Sequence, residues 1–236
     1  MGCSSTPVQA PVSNRPTKAT GAPPVNYVVR RGDTMYTIAW RYNLDYRSVA
    51  HWNGLAEPYR IYPGQRLTLR APKRVVETRR KGVATAPGPT KKRPTKSTKS
   101  RKRSTPSRSS GSNGTKKVTW RSPTSGKVIR SFKQTRTGVD IAGKRGQTIR
   151  ASASGRVVYS GSGLLGYGKL IILKHSTRFL TAYAHNSTIL VSEGESVALG
   201  QPIATMGDSG TDRVMLHFEV RRDGKPVDPL RYVPNF

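Results

Sequence analysis

The stretch that decides the fold of this 236-residue chain is Val214–Val220, which reads Val-Met-Leu-His-Phe-Glu-Val. After the methionine, apolar and polar residues alternate, which is typical of a β-strand with one face against a core. The apolar face carries Leu216, Phe218 and Val220, and the polar face carries His217 and Glu219. We therefore expect a strand that lies half in a core and presents its polar side chains to a groove.

Two other short stretches carry residues suited to the same groove. One is Thr137–Ile141, which contains Asp140, and the other is Tyr183–His185. Aspartate and histidine are residue types that bind zinc in proteins. The first hypothesis is therefore a metal site that includes Asp140, His185 and His217.

Residues 118–236 resemble the lysostaphin-type (LytM-type) zinc metallopeptidases, which cut peptide bonds in the bacterial cell wall. The family pattern is His-x-x-x-Asp, then a His near the end of a middle strand, then His-x-His. The resemblance implies that Asp140 and His217 stand at zinc-ligand positions and that His185 stands at a catalytic position. Three flanking stretches also match the family, namely Gly155–Val158, Gly166–Gly168 and Leu216–Glu219.

Two positions of the family pattern are replaced in this sequence. Arg136 stands four residues before Asp140, and Met215 stands two residues before His217, where the family has His. Catalytic zinc usually keeps three protein ligands, and only two remain. Arg136 stays charged and is expected to bring a positive charge toward the metal position. The Met215 thioether is a poor ligand and no general base, so we expect no catalysis, no bound metal and no other cofactor.

The net charge of +30 is concentrated in one segment. Residues 71–117 carry 16 Lys and Arg and a single acidic residue, so this segment holds half of the net positive charge of the chain. Such a composition predicts a basic, disordered linker. Alone, this segment favours binding to nucleic acid or to another anionic polymer. It contains no aromatic residue that could stack on bases. We expect peptidoglycan carboxylates or lipid phosphates as its partners and no nucleic acid, with a basic nucleic-acid-binding protein as an alternative.

Residues 27–70 predict the order strand, helix, helix, strand. A strand at Tyr27–Val29 precedes a helix over Met35–Tyr42, where apolar residues recur at three- and four-residue spacing. A second helix is expected at Tyr46–Trp52, ended by an Asn-Gly pair. A closing strand is expected at Leu67–Leu69. This part is therefore expected to be a small α+β (βααβ) domain.

The order of elements and several short motifs in this domain resemble the LysM domain, which binds polymers that contain N-acetylglucosamine, such as peptidoglycan. The motifs are Gly32–Thr34, Ile38–Ala39, Trp52–Leu55 and Ile61–Gly64. The resemblance implies a sugar groove between the loop after the first strand and the loop before the last strand. Its residues would be Gly32, Asp33, Thr34, Met35, Asn53, Leu55, Ile61 and Tyr62. A purely structural interpretation is that Asp33 or Thr34 caps the first helix.

From residue 118 onward, short apolar runs separated by glycine-rich turns predict a mainly antiparallel β-domain. The predicted strands lie at 128–132, 147–151, 155–160, 170–173, 179–183, 202–205 and 214–220. The whole chain is therefore expected to be a multi-domain protein. Its parts are a tail at 1–26, a LysM-type domain at 27–70, a linker at 71–117 and a degenerate LytM-type domain at 118–236.

The tail at residues 1–26 is rich in Ser, Thr, Pro and Ala and is expected to be disordered. Within it, Gly2–Ser5 resembles the cleavage site of bacterial lipoproteins, which implies a lipid on Cys3 and an outer-membrane anchor. No apolar segment precedes Cys3, so on this interpretation the signal segment lies upstream of Met1. The alternative is an ordinary free thiol.

The combination of these parts resembles the NlpD-type murein hydrolase activators of Gram-negative bacteria. The resemblance implies a periplasmic outer-membrane lipoprotein at the division septum. Such a protein binds peptidoglycan and activates a periplasmic N-acetylmuramoyl-L-alanine amidase, so that septal wall is split and daughter cells separate. The alternative is an active zinc endopeptidase that cuts peptidoglycan cross-bridges with unusual ligands.

The former active-site groove is expected to bind the amidase, because a groove keeps its shape when it loses its metal. The groove residues would be Thr137, Asp140, Tyr167, Leu170, His185, His217 and Arg221. We expect Tyr167 and Arg221 to contribute most, since aromatic and arginine side chains are the usual anchors of protein contacts. The alternative for Arg221 is a surface ion pair with an acid such as Asp223.

Overall fold

The described part of the chain is residues 22–72 and 118–233 of a computed structural model. These two parts belong to one compact unit and are called the N-terminal domain (residues 22–72) and the C-terminal domain (residues 118–233). The expectations for Cys3 and for disorder at 1–21 and 73–117 lie outside the described residues. Within the two described parts, no helix has the length and apolar character needed to cross a membrane.

The N-terminal domain has the predicted βααβ order. Its elements are β1 (Asn26–Val28), α1 (Met35–Arg41), α2 (Tyr46–Trp52) and β2 (Arg66–Thr68). The two strands pair antiparallel, with Tyr27 opposite Leu67. The pairing continues beyond β1, because the Leu69 amide donates to the Val25 carbonyl at 2.8 Å. The antiparallel pairing of the two ends of this domain therefore extends to Val25 and Leu69.

Thr34, not Asp33, caps helix α1. The Thr37 amide donates to Thr34 Oγ1 at 3.1 Å, and the Thr34 amide donates to Thr37 Oγ1 at 2.9 Å. The Asp33 carboxylate instead accepts from the Tyr27 hydroxyl at 2.6 Å. Four consecutive residues of α1, Thr37–Trp40, are buried. A helix that packs on one side only shows one buried stripe, so α1 is covered from two sides.

The C-terminal domain is mainly antiparallel β-structure, as predicted. Its elements are β3 (Val128–Arg130), α3 (Phe132–Thr135), β4 (Val139–Ala142), β5 (Thr148–Arg150), β6 (Gly155–Gly161), β7 (Leu170–Lys174), β8 (Phe179–Ala184), β9 (Asn186–Ile189), β10 (Ser196–Val197), β11 (Pro202–Met206), β12 (Met215–Arg222) and β13 (Lys225–Val227). The larger sheet has the order β10-β6-β7-β8-β12-β4-β3, with β13 paired to β12, and the smaller sheet has the order β5-β11-β9. The short helix α3 was not predicted. The sequence predicted a strand over 128–132, whereas β3 ends at Arg130 and α3 begins at Phe132.

Strand β12 is the strand predicted from Val214–Val220, and it lies between β8 and β4. Leu216, Phe218 and Val220 enter a core that includes side chains from both sheets. The expectation that the strand lies only half in a core is wrong, because every residue from Met215 to Arg221 is buried. The polar face is buried too, since ion pairs and the N-terminal domain cover it.

Candidate functional site

Three neighbouring strands place Arg130, Asp140 and His217 in one row across the larger sheet. Asp140 lies directly opposite His217 in the β4–β12 ladder and directly opposite Arg130 in the β3–β4 ladder. Directly opposed residues of antiparallel strands have Cβ atoms roughly 4.5–5.5 Å apart. The strand register therefore brings these three side chains into contact.

These side chains begin a set of ion pairs that is buried apart from the exposed Arg130, and we call it the ionic network (Arg130, Asp140, His217, Glu219 and Arg221). Asp140 binds Arg130 Nε through Oδ2 and His217 Nδ1 through Oδ1. His217 Nε2 lies 3.1 Å from Glu219 Oε1. Arg221 donates to Glu219 Oε2 from Nε at 3.1 Å and from a terminal nitrogen at 3.0 Å. Two carboxylates are thus held between three cationic side chains.

The network fixes the protonation of its members. Burial opposes the charge on His217, but its hydrogen bonds to Asp140 and Glu219 outweigh burial and raise the pKa of His217 to about 9. Burial favours the neutral form of Glu219, yet Arg221 and His217 lower the pKa of this carboxyl to about 2. The pKa of Asp140 is also lowered, against the effect of burial, by His217 and Arg130. At neutral pH His217 is therefore an imidazolium that donates both ring protons to carboxylates.

The residues of this site do not fit the zinc ion that the family resemblance implies. A metal-binding histidine must present an unprotonated ring nitrogen, whereas both nitrogens of His217 face carboxylate oxygens. Both oxygens of Asp140 are bonded to cationic groups. Across residues 22–72 and 118–233, no group of three His, Cys, Asp or Glu side chains could hold a metal ion. The ionic network stands where the resemblance places the metal.

Arg136 is not the cation beside Asp140, which corrects the expectation from the sequence. It follows α3 with a positive φ of 64°, and it is exposed. Arg130 holds the place beside Asp140 instead. Sequence reasoning missed Arg130 because the β3–β4 register shifts between Val128 and Arg130, and alternation of residue types does not reveal such an irregularity. The other replaced position, Met215, is buried.

Tyr167, Thr137 and Leu170, which were predicted to line a groove, lie near the ionic network. The Tyr167 hydroxyl donates to Glu219 Oε1 at 2.8 Å, and Thr137 Oγ1 lies 3.4 Å from His217 Nε2. Leu170 is fully buried in an apolar cluster that also contains residues of the N-terminal domain. The structure thus brings these predicted residues onto the same face of the sheet as the ionic network.

His185 lies beside the network and differs from His217 in its protonation. The centroids of the two rings are 6.2 Å apart. His185 Nδ1 lies 2.8 Å from the Ser209 carbonyl oxygen, and burial lowers the pKa of His185. Since no carboxylate is hydrogen-bonded to it, His185 is neutral at neutral pH.

The N-terminal domain covers one end of the network through Trp40. The Arg221 guanidinium stacks on the Trp40 ring, with Cζ 3.6 Å from the ring centroid, and it donates to the Trp40 carbonyl at 2.8 Å. Trp40 Nε1 lies 3.2 Å from the Tyr167 hydroxyl oxygen. Trp40 and Arg221 are each 2% exposed. The suggested surface pair of Arg221 with Asp223 is wrong, because Asp223 pairs with Arg178.

Several of the residues implied to bind peptidoglycan have structural roles in the N-terminal domain. Asn53 Nδ2 donates to the Val49 carbonyl at 2.7 Å and to the Thr68 carbonyl at 2.8 Å, and its Oδ1 accepts from the Thr68 amide at 2.7 Å. Met35 is buried, and Thr34 and Asp33 make the contacts given above. Gly32 and Tyr62 are exposed, with Tyr62 65% exposed, and Leu55 and Ile61 are partly buried.

Comparisons with known proteins identify both domains. Residues 27–70 match the LysM domain, and residues 134–229 match peptidase family M23. A Pseudomonas aeruginosa protein named lipoprotein NlpD/LppB homolog is 42% identical over 95% of this chain and 81% of its own length. The Escherichia coli protein named murein hydrolase activator NlpD is 40% identical over 88% of this chain and 67% of its own length.

A third relative is the Haemophilus influenzae outer membrane antigenic lipoprotein B, which is 37% identical over 88% of this chain. The chain spans 64% of that relative, which is less than two thirds of its length. The fold and these matches define a protein with a LysM domain followed by an M23-type domain. This chain belongs to the NlpD/LppB family.

The replacement Asn53→Ala should destabilise the N-terminal domain. We expect the free energy of unfolding to fall by about 2 kcal/mol, because the Thr68 amide and two carbonyl groups lose their partner. Urea unfolding of the full chain measures this change. The exposed residue Tyr62 provides a control, since Tyr62→Ala should change stability by no more than about 0.5 kcal/mol. Equal stability of the two variants would contradict a structural role for Asn53.

The stability of the C-terminal domain should fall as the pH rises from about 6.5 to 9. The pKa of His217 is about 9 in the folded chain against a model value of 6.5. Its contribution is therefore complete below pH 6.5 and is lost as the pH passes through 9. A shift of this size corresponds to on the order of 3 kcal/mol. Urea unfolding at both pH values measures the loss.

Two histidine variants test the origin of this pH dependence. His217→Gln should unfold with a much weaker dependence on pH between 6.5 and 9, because the titrating group is absent. His51 is exposed on α2, and His51→Gln should keep the dependence of the parent chain. The hypothesis fails if His217→Gln and the parent lose the same stability across this range.

Proposed function

We propose that this chain is a non-catalytic activator of a periplasmic N-acetylmuramoyl-L-alanine amidase, held on peptidoglycan by its N-terminal domain. The ionic network is the observation that best supports the proposal that the chain is not itself a peptidase. Metal-assisted hydrolysis needs a metal-activated water and a proton acceptor. The His217 imidazolium and the Arg130 guanidinium occupy both oxygens of the Asp140 carboxylate that would bind the metal.

The activator role is supported by the relatives, since the Escherichia coli relative is named a murein hydrolase activator. We propose that the amidase binds the face of the larger sheet that carries the ionic network, which includes Asp140 and His217. Thr137, Leu170 and His185 are the neighbouring residues of this proposed surface. Tyr167 and Arg221 are the proposed anchors, because aromatic and arginine side chains dominate protein contacts. Such binding relieves the inhibition of the amidase and leads to septal wall splitting.

The N-terminal domain supplies the attachment to the wall in this proposal. Its match to the LysM domain supports binding to peptidoglycan. Gly32 and Tyr62 are exposed, and Leu55 and Ile61 partly exposed, on the loops where the family resemblance places the sugar groove. Exposed aromatic rings give apolar contact area together with a polar group, so Tyr62 is the side chain best suited to a sugar ring.

The proposed location is the periplasmic face of the outer membrane at the division septum. The names of two relatives include the word lipoprotein, which supports a lipid on Cys3. Such an anchor and the basic segment at 73–117 would both hold the chain close to anionic polymers of the envelope.

The purified chain should not cut wall peptides by itself. We expect no release of cross-bridge peptides from purified wall with added zinc. We also expect a marked rise in glycan–peptide cleavage by a periplasmic amidase when the chain is present. Product analysis by mass spectrometry distinguishes the two bonds. Cross-bridge cleavage by the chain alone, abolished by a chelator, would establish the endopeptidase alternative.

Replacing Tyr62 with Ala should weaken binding to insoluble peptidoglycan about tenfold, which corresponds to about 1.4 kcal/mol. Sedimentation with purified wall at 0.15 M and 1 M salt measures the effect, since high salt screens the basic segment. Leu190 is exposed in the C-terminal domain, and Leu190→Ala serves as the control with unchanged binding. If Tyr62→Ala binds like the parent, and binding vanishes at 1 M salt, the basic segment is the binder. Tighter binding to duplex DNA than to wall would favour the nucleic-acid alternative.

A further inference from the structure

The face of the sheet that carries Arg221 is the face on which the N-terminal domain packs. A single apolar cluster contains the core of the N-terminal domain and side chains from strands β6, β7 and β8. From the C-terminal domain it includes Tyr159, Leu170, Ile172, Leu180, Ala182 and Ala184. Tyr167 and Arg221 are the proposed anchors for the amidase. Both are therefore already in contact with the N-terminal domain of the same chain.

Trp40 is the centre of this contact. Both of its polar partners, the Tyr167 hydroxyl and the Arg221 guanidinium, belong to the C-terminal domain. The two-sided burial of helix α1 has the same cause, because one side faces its own domain and the other faces the C-terminal domain. Trp40 therefore fills the position beside Arg221 that an aromatic anchor from a partner would take.

The edge of the contact is polar. Lys174 pairs with Glu57 at 3.0 Å, and Arg47 pairs with Asp223 at 3.1 Å. Partly exposed ion pairs of this kind contribute little and are screened by salt. The domains also approach closely at Gly224, where a Cβ atom would lie 2.3 Å from the Leu44 carbonyl oxygen.

We propose that the N-terminal domain is a reversible cover of the amidase-binding surface, so that the amidase and the N-terminal domain exclude one another. This inference rests on the function proposed above. Trp40 and an amidase side chain cannot both stack on Arg221. The apparent affinity for the amidase is then reduced by the fraction of molecules in which the surface is open. The segment of the amidase that fits presents an aromatic side chain to Arg221 and a carbonyl oxygen to its guanidinium.

Gly224→Asn tests the cover without changing the ionic network or the sugar-binding loops. Its new Cβ atom would collide with the backbone of Leu44, and asparagine tolerates the positive φ of 77° better than most residues. Gly146→Asn is the matched control, because Gly146 also has a positive φ, of 82°, and nothing lies within 4 Å of its Cβ position. Trp40→Ala is a second variant that weakens the same contact from the other side.

Two measurements on the full chain are compared. Small-angle X-ray scattering reports separation of the domains as a larger radius of gyration. Titration against a periplasmic amidase on purified wall gives the half-maximal stimulating concentration. We expect Gly224→Asn and Trp40→Ala to show a larger radius and a roughly tenfold lower half-maximal concentration. Gly146→Asn should match the parent in both.

Different experimental results would contradict the cover and the activator function. Domains that separate without improving stimulation, or that reduce it, would overturn the cover and leave the activator function in place. A radius that stays unchanged even when Gly224→Asn and Trp40→Ala are combined in one chain would overturn the docked arrangement, and with it the cover. No stimulation by the parent or by any opened variant would overturn the activator function itself.

Discussion

The buried carboxylate of Glu219 is the group on which the arrangement of the site depends. It is fully buried, and it accepts hydrogen bonds from His217, Tyr167 and Arg221. A buried carboxylate without partners costs several kcal/mol, so the fold must hold all of these donors in place. Each donor leads to a different part of the molecule: His217 to Asp140 on β4, Tyr167 to the loop before β7, and Arg221 to Trp40 in the other domain.

Arg221 joins the two domains because a guanidinium can bind in two directions at once. Its edge binds the Glu219 carboxylate, and its flat face lies on the indole of Trp40. The first of these contacts lies within strand β12 and does not need the N-terminal domain. Departure of Trp40 would therefore expose Arg221 to water while Glu219 keeps its charge partners. This separation of roles makes the domain contact suited to reversible docking.

The sequence predicted the architecture well and the site in part. Helix α2 has the predicted bounds, because turn residues flank a clear helical spacing. The pairing of Asp140 with His217 agrees with the family pattern, whose positions are neighbours across two strands. The role of Arg130 depends on an irregular register, which residue patterns do not show. Trp40 was not singled out in the sequence, because contacts between domains are not encoded in local periodicity.

The ionic network also explains how a metallopeptidase fold can remain ordered after its ligand set is broken. In the family pattern a divalent cation would lie between Asp140 and His217 and would balance nearby carboxylates. Here the Arg130 guanidinium and the proton on His217 bring two positive charges to the same place. The carboxylates stay ionised, as the low pKa of Glu219 shows, so the larger sheet keeps its buried polar face without the need for a metal.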